Sequence, residues 1–300
     1  MGGPPTLSLA MNLLIKAVAA GAVLAGVQAH ADTFFVTTED SVVKVTEDAA
    51  FVFATGLKDP TGIVEDGAGN IYVGNRGANE IVEYPMVNGV LSSTAIVFAG
   101  GLHVPQDLAF DHAGNLYEAD QDSGTVNKFA FNGAKLSHKP DPVITGLKEN
   151  NRPAGLCFDA QGNLYVAAYI GGIMKFANTG APWTTPTVFA SFSRARQMVF
   201  DKHGNLFTAD HVDQRVYEFL NTPDGLSNKP TIFAENNGLN MPSGVTFDSS
   251  GNLYITNWGG GGGTDGLEYP LVNGVLSNTA TPFINGFNAP AYILDYVVPR

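Results

Sequence analysis

One cysteine in 300 residues, 16 basic side chains against 28 acidic ones, and no long run of apolar residues are the first shortages of this sequence. Cys157 has no second cysteine to pair with, so an internal disulfide is excluded and stability must come from the core alone. The net charge is −12 and no basic run occurs, so nothing could neutralise a row of phosphates, which excludes nucleic acid as a partner. The longest apolar stretch, Leu13 to Val27, contains Lys16 and falls short of the ~20 residues of a membrane span. No P-loop, dinucleotide fingerprint or Ser-His-Asp arrangement is visible either. What the chain does have is 44% hydrophobic residues, sufficient at this length for a large core.

The first 31 residues differ in kind. Met11-Asn-Leu-Leu-Ile-Lys16 is a short positive start, Ala17 to Val27 an apolar stretch, and Ala29-His-Ala31 a small-residue cleavage site. Together they read as a secretory signal removed after Ala31. Removal would leave 15 basic and 28 acidic residues, net −13, in a secreted or periplasmic protein of bacterial type.

From residue 32 onward one motif recurs. Asp66-Gly-Ala-Gly-Asn-Ile-Tyr72 returns as Asp111-His-Ala-Gly-Asn-Leu-Tyr117, Asp159-Ala-Gln-Gly-Asn-Leu-Tyr165, Asp201-Lys-His-Gly-Asn-Leu-Phe207 and Asp248-Ser-Ser-Gly-Asn-Leu-Tyr254, with successive copies 42 to 48 residues apart. That period is the length of a propeller blade. A Pro or small residue leads into an apolar strand, as in Pro105-Gln-Asp-Leu-Ala-Phe110. A hairpin turn follows, in which Asp bonds back to the backbone and Gly supplies a positive φ. Three further strands complete four per unit, an all-β, four-stranded blade. A single carboxylate beside a fixed Gly fits a turn rather than a calcium cage, so the motif, with His112 and His203 inside it, is scaffold. Cys157 fills the slot of Val64, Ala109, Val199 and Thr246 and reads as buried filler.

Five motifs predict six blades. Phe34 to Val45 aligns with Leu164 to Lys175, the second and third strands of a blade, and Ala50 to Phe53 supplies a fourth. The missing first strand is available at Ala289 to Leu294. The two ends are therefore expected to share a sixth blade, closing one domain over 32–300 and removing the open sheet edges. The pattern Pro-x-Gly-apolar strand, D-x-x-G-N-L-Y and an apolar third strand resembles the six-bladed propellers of NHL-repeat proteins and the gluconolactonase/senescence-marker group. It covers residues 33–296 and implies the fold, whereas that fold hosts hydrolases, lyases and binding surfaces alike.

A site is expected on the face opposite the D-x-x-G-N turns, where loops enter the first strands and join the second to the third. Those loops carry Arg76, His103, Gln106, Asp107, Asp120, Arg152, Tyr169, Arg196, Gln197, Asp210, His211, Asn257, Trp258 and Tyr292. Two residues beyond the leading position stand Gly62, Gly155 and Gly244, where strands crowd the axis. The same slot in the other blades holds Asp107, Gln197 and Tyr292, which either plug the channel or line a ligand site. Blade five spaces Tyr254 and Tyr269 wider than its equivalents through a loop, Gly259 to Gly263, beside Trp258; a mobile flap and an unspecialised loop are both open readings.

Two functions follow. The first is a non-catalytic exported propeller, expected to be a monomer, that binds a small molecule, glycan or peptide at the channel mouth. Its arginines would pair with acidic groups and its aromatics would stack on the ligand. The alternative, implied by the resemblance, is a lactonase- or esterase-type hydrolase holding a divalent cation (Ca, Mn or Zn) on Asp107, Asp120, Asp210 and Asn257. The gluconolactonase group carries an Asp-Gly pair entering a strand. Here the pairs are Thr61-Gly62, Gln106-Asp107, Ala154-Gly155, Arg196-Gln197, Ser243-Gly244 and Ala291-Tyr292. A zinc lyase of the same fold wants about three nitrogen or sulfur ligands, and only His103 and His211 are placed to serve.

Overall fold

The structure is a computed structural model that describes residues 32–46, 49–147, 151–180, 182–183, 185–191, 194–259 and 265–297. The segment 1–31, expected to be a secretory signal, and most of the glycine loop, residues 260–263, lie outside the described residues. Six four-stranded antiparallel sheets form the blades. Blade one runs Pro60–Glu65, Ile71–Asn75, Glu80–Tyr84 and Ile96–Gly100; blade two runs Pro105–Phe110, Leu116–Asp120, Thr125–Phe129 and Asp141–Ile144. Blade three begins at Pro153–Phe158, blade four at Ala195–Phe200 and blade five at Pro242–Phe247. The first strand of each blade packs beside the first strand of the next.

The sixth blade closes the ring as the repeat requires. Thr33–Thr37 pairs with Ser41–Val45 and, on its other side, with the C-terminal strand Ile293–Tyr296, in the register Thr33 to Tyr296 and Val36 to Ile293. That strand begins later than the expected Ala289. Its ladder is nevertheless prolonged by Ala291 N–H donating to Thr37 O at 2.8 Å and Thr37 N–H to Tyr292 O at 3.0 Å.

Local chemistry explains each turn. In Asp66 to Tyr72, Oδ1 accepts from the backbone N–H of Ala68 and Asn70 at 2.9 and 3.0 Å, while Oδ2 accepts from Asn70 Nδ2 at 2.7 Å. Gly69, Gly114, Gly162, Gly204 and Gly251 all have φ between +79° and +89°, where a side chain would be strained. The Asn carbonyl then accepts the backbone N–H of Met86, Phe131, Asn178, Asn221 or Leu271, tying each turn to the exit of its own third strand. Every carboxylate oxygen of these turns is thus engaged in the hairpin itself.

Burial follows position in the blade. Second strands such as Leu164–Ala168 are buried at all five residues, because both faces lie against neighbouring blades. Fourth strands begin exposed and become buried further along, as in Ile96–Gly100, and tolerate Pro142 and Pro282 because the outer edge needs no N–H. Six apolar clusters occupy the six blade interfaces. Each fully buried aromatic, such as Phe176, Phe207 or Phe219, contributes about 1.5–3 kcal/mol by leaving water. Cys157 is buried in the interface of blades three and four, and that burial pushes its thiol up, consistent with filler. Among the described residues no helix is long and apolar enough to cross a membrane.

Candidate functional site

Two slots of the repeat vary from blade to blade, and they meet in one place. The residue after each second strand is Arg76, Gln121, Tyr169, His211 or Trp258; the residue after each leading position includes Thr61, Gln106, Arg196, Ser243 and Ala291. All ten line a cavity of about 540 Å³ on the face away from the D-x-x-G-N turns, together with Asp59, Val104, Asp122, Arg194, Met241 and Tyr292. Asp59, Val104 and Met241 directly precede leading prolines and have φ of 50°, 67° and 53°. This sparsely populated conformation turns each connecting loop inward over the cavity.

The last residue of the second strand does a different job. Its buried side chain accepts a backbone N–H of the loop arriving from the preceding blade: Lys58 N–H to Asn75 Oδ1 at 2.7 Å, His103 N–H to Asp120 Oδ2 at 3.0 Å, Arg194 N–H to Asp210 Oδ2 at 3.0 Å and Asn240 N–H to Asn257 Oδ1 at 3.1 Å. Asp210 Oδ1 takes two more, from Val212 and Asp213, and Asn257 Nδ2 donates to Gly238 O. Asp120, Asp210 and Asn257 thus anchor the incoming loops. Asp107 lies apart from them on the axis, its oxygens accepting from Leu108 and Leu156 N–H, both at 2.8 Å. Among the described residues no three His, Cys, Asp or Glu side chains gather as a metal site, and Asp107, Asp120, Asp210 and Asn257, expected as cation ligands, each accept backbone N–H groups instead of facing one another.

The axial slot is a plug. Gln197 accepts from Val245 N–H at 2.9 Å and donates to Ile293 O at 3.0 Å, joining blade four to blades five and six. Tyr292 reaches across the ring from blade six to blade three, donating its hydroxyl to Ala154 O at 2.8 Å. The hydroxyl oxygen accepts from the Gln106 side chain, and Gln106 Oε1 accepts from Arg76 Nη1 at 3.3 Å. The three glycines answer this crowding: a Cβ on Gly155 would stand 2.1 Å from Arg196 O, and one on Gly62 2.6 Å from Asp107 Cα. Burial raises the Asp107 carboxyl to about 8, against the lowering effect of its two backbone donors.

Above the plug the cavity is cationic. Arg76 pairs with Asp59 at 2.5 Å and Arg152 with Asp122 at 2.7 Å. Tyr169 carries a stack of guanidinium groups, with Arg194 at 4.3 Å, Arg152 at 5.0 Å and Arg196 at 5.7 Å from its ring centroid. Among the described residues no carboxylate lies within 4.0 Å of Arg194 or Arg196. Burial, with the neighbouring Arg194 and Arg76, lowers the proton affinity of Arg196. His211, beneath Trp258 at 5.4 Å between ring centroids, is pushed down to about 4 by burial and by the charges of Arg196 and Arg194. Among the described residues four buried nitrogens of this wall have no hydrogen-bond partner: Gln121 Nε2, Arg194 Nε, Arg196 Nε and His211 Nδ1.

Of the expected residues, Arg76, Gln106, Tyr169, Arg196, His211, Trp258 and Tyr292 thus converge. Arg152 stands behind Tyr169. His103 does not take part: its side chain is 68% exposed and faces Asp120 at 3.8 Å. Sequence reasoning passed over Arg194 and Gln121. Gln121 occupies the slot of Tyr169 and His211, and Arg194 the slot of Arg152, so the repeat held the signal for both. At Trp258 the chain is fixed by N–H donation to Met241 O at 3.1 Å, and Gly259 O accepts from Asn240 Nδ2 at 2.6 Å, so the flap reading finds its starting residues anchored.

A family model described as lactonase, 7-bladed beta-propeller, matches residues 62–143, which is blade one and nearly all of blade two. No curated protein matches the sequence. Among solved structures, a chain of a nidogen/laminin complex aligns with a TM-score of 0.68 at 16% identity, covering 89% of this chain and 99% of that one. A protein described as a putative gluconolactonase aligns with a TM-score of 0.58 at 12% identity over 77% and 79% of the two chains. Virginiamycin B lyase from Staphylococcus aureus gives 0.58 at 10% identity over 88% and 89%. At such identities the likeness is one of fold, and the seven blades of the matched model are not carried over, since the ring here closes at six. The fold itself is that of a six-bladed β-propeller, and it is similar in architecture to these solved structures.

Proposed function

We propose that this chain is an exported, non-catalytic propeller that binds a small molecule in the channel-mouth cavity. The observation that carries this reading is the distribution of variation. The turn face repeats the same hydrogen bonds in every motif, whereas the two variable slots place Arg, Gln, Tyr, His and Trp around one cavity of about 540 Å³. That volume suits a small organic molecule, and a largely pre-formed concavity with a few convergent polar groups is the usual form of such sites. A thermal-shift screen of small molecules, with Trp258→Ala as the comparison, tests it. Compounds should stabilise the intact protein and lose at least half of that stabilisation in the variant. Stabilisation by no compound, or by compounds indifferent to Trp258, would refute it. Export predicts a mature N-terminus at Asp32, read by mass spectrometry.

The lactonase match supports a second reading, hydrolysis of a lactone or ester in the same cavity. Assays of lactones and aryl esters with Ca²⁺, Mn²⁺ or Zn²⁺ added, then with chelator, decide it; absence of turnover under every condition removes it.

A further inference from the structure

Resting on the cavity reading above, we propose that the occupant is a hydroxylated organic oxyanion, its acid group a carboxylate or a phosphate monoester. Arg194 and Arg196 hold the acid, and a ligand hydroxyl donates to His211 Nδ1.

The charge argument comes first. Arg76 and Arg152 have carboxylate partners, Asp59 and Asp122, whereas Arg194 and Arg196 share a wall of the cavity with no carboxylate within 4.0 Å among the described residues. Two guanidinium groups stacked near one tyrosine ring, 4.3 and 5.7 Å from its centroid, repel one another in a chain whose overall charge is −12. Their Nε–H groups are buried donors without acceptors among the described residues. Buried donors of this kind are rare in folded proteins, and a planar guanidinium fork matches a carboxylate or phosphate in two-point contact. An oxyanion satisfies the donors and relieves the repulsion together.

The histidine supplies the second half. His211 is 5% exposed, and among the described residues its hydrogen bond is to the Met241 backbone. Because Nδ1 has no partner among the described residues, that bond comes from Nε2–H to the Met241 carbonyl, which leaves Nδ1 of the neutral ring with a lone pair. Nδ1 therefore calls for a donor from the ligand, which an oxyanion alone lacks and a hydroxyl provides. Gln121 Nε2, also unpartnered in a side chain 5% exposed, offers a donor to the same ligand.

Isothermal titration calorimetry at low salt tests this with four probes: malate and glycerol 3-phosphate as hydroxylated anions, succinate as an anion without hydroxyl, and malamide as the neutral hydroxylated analogue. One or both hydroxylated anions should bind at least about tenfold more tightly than succinate and malamide. The better of the two identifies the acid group. Arg194→Gln and Arg196→Gln should each weaken that probe about tenfold or more, the scale of a lost charge-assisted contact, and His211→Leu should bring malate to the level of succinate. Arg196→Lys, which keeps the charge, guards against misfolding of the Gln variant and should retain part of the affinity. Malamide binding as tightly as malate, or binding of neither hydroxylated anion at millimolar concentration, overturns the proposal. If neutral compounds still bind and depend on Trp258, the anion assignment alone has failed. If no compound binds there at all, the cavity reading has failed with it.

Discussion

Tyr292→Phe removes one oxygen atom from the axis and leaves the ring in place. The hydroxyl is fully buried and donates to Ala154 O at 2.8 Å across the ring, joining blade six to blade three. Its loss forfeits a hydrogen bond and strands a buried carbonyl, a cost of about 1–2 kcal/mol. For a domain of this size that lowers the melting temperature by roughly 2–4 °C. Tyr269→Phe is the paired control. Tyr269 is just as buried and its ring also packs on a neighbour, Phe233, at 5.4 Å, but its hydroxyl has no partner among the described residues. Removing an unsatisfied buried hydroxyl should be neutral or stabilising by about 1 kcal/mol. Urea denaturation of both variants measures the difference, expected at about 2 kcal/mol. Equal effects of the two substitutions would refute the plugged axis.

Asp248→Ala deletes a carboxylate that accepts from Ser250 and Asn252 N–H at 3.0 and 2.7 Å and from Asn252 Nδ2 at 2.6 Å; a loss of about 2–3 kcal/mol in urea denaturation is expected. Gly155→Ala would set a Cβ 2.1 Å from Arg196 O, so it should cost about 3 kcal/mol or more and, by displacing Arg196, weaken any cavity ligand. Stability should depend on pH through two buried groups of opposite sign. Asp107 is raised to about 8 in the fold against about 4 in the unfolded chain, so its contribution is full below pH ~4 and lost as pH rises towards 8. Asp107→Asn should flatten that slope between pH 5 and about 8. His211, lowered to about 4, contributes fully above pH ~6.5 and loses its contribution as pH falls. The same titration with His211→Leu reads this acid limb.

The repeat disclosed the architecture because the forces that make a blade are short-range. The Asp side chain of each turn bonds two to four residues onward, Gly takes the φ that its own position demands, and the alternation of each strand follows the pleat. Five copies of that chemistry determined the period, and the unpaired segments at the two ends determined the shared sixth blade. The variable slots were legible for the same reason, including those of Gln121 and Arg194, once the copies are laid beside one another.

What the polar residues of the inner slots do was settled only by the tertiary structure. Asp107 and Arg196 sit one position apart in equivalent slots, yet Asp107 faces the Leu156 N–H of the next blade and Arg196 opens into the cavity. Asp120 and Asp210 read as candidate ligands because an acid at a strand end is chemically competent to bind a cation. In the ring each accepts a backbone N–H from a residue sixteen or seventeen positions earlier, in the loop arriving from the preceding blade. A side chain's own neighbours in sequence specify a turn. Whether its charge meets an amide, an opposite charge or open space depends on the adjoining blade, and that partner exists only once the ring has closed.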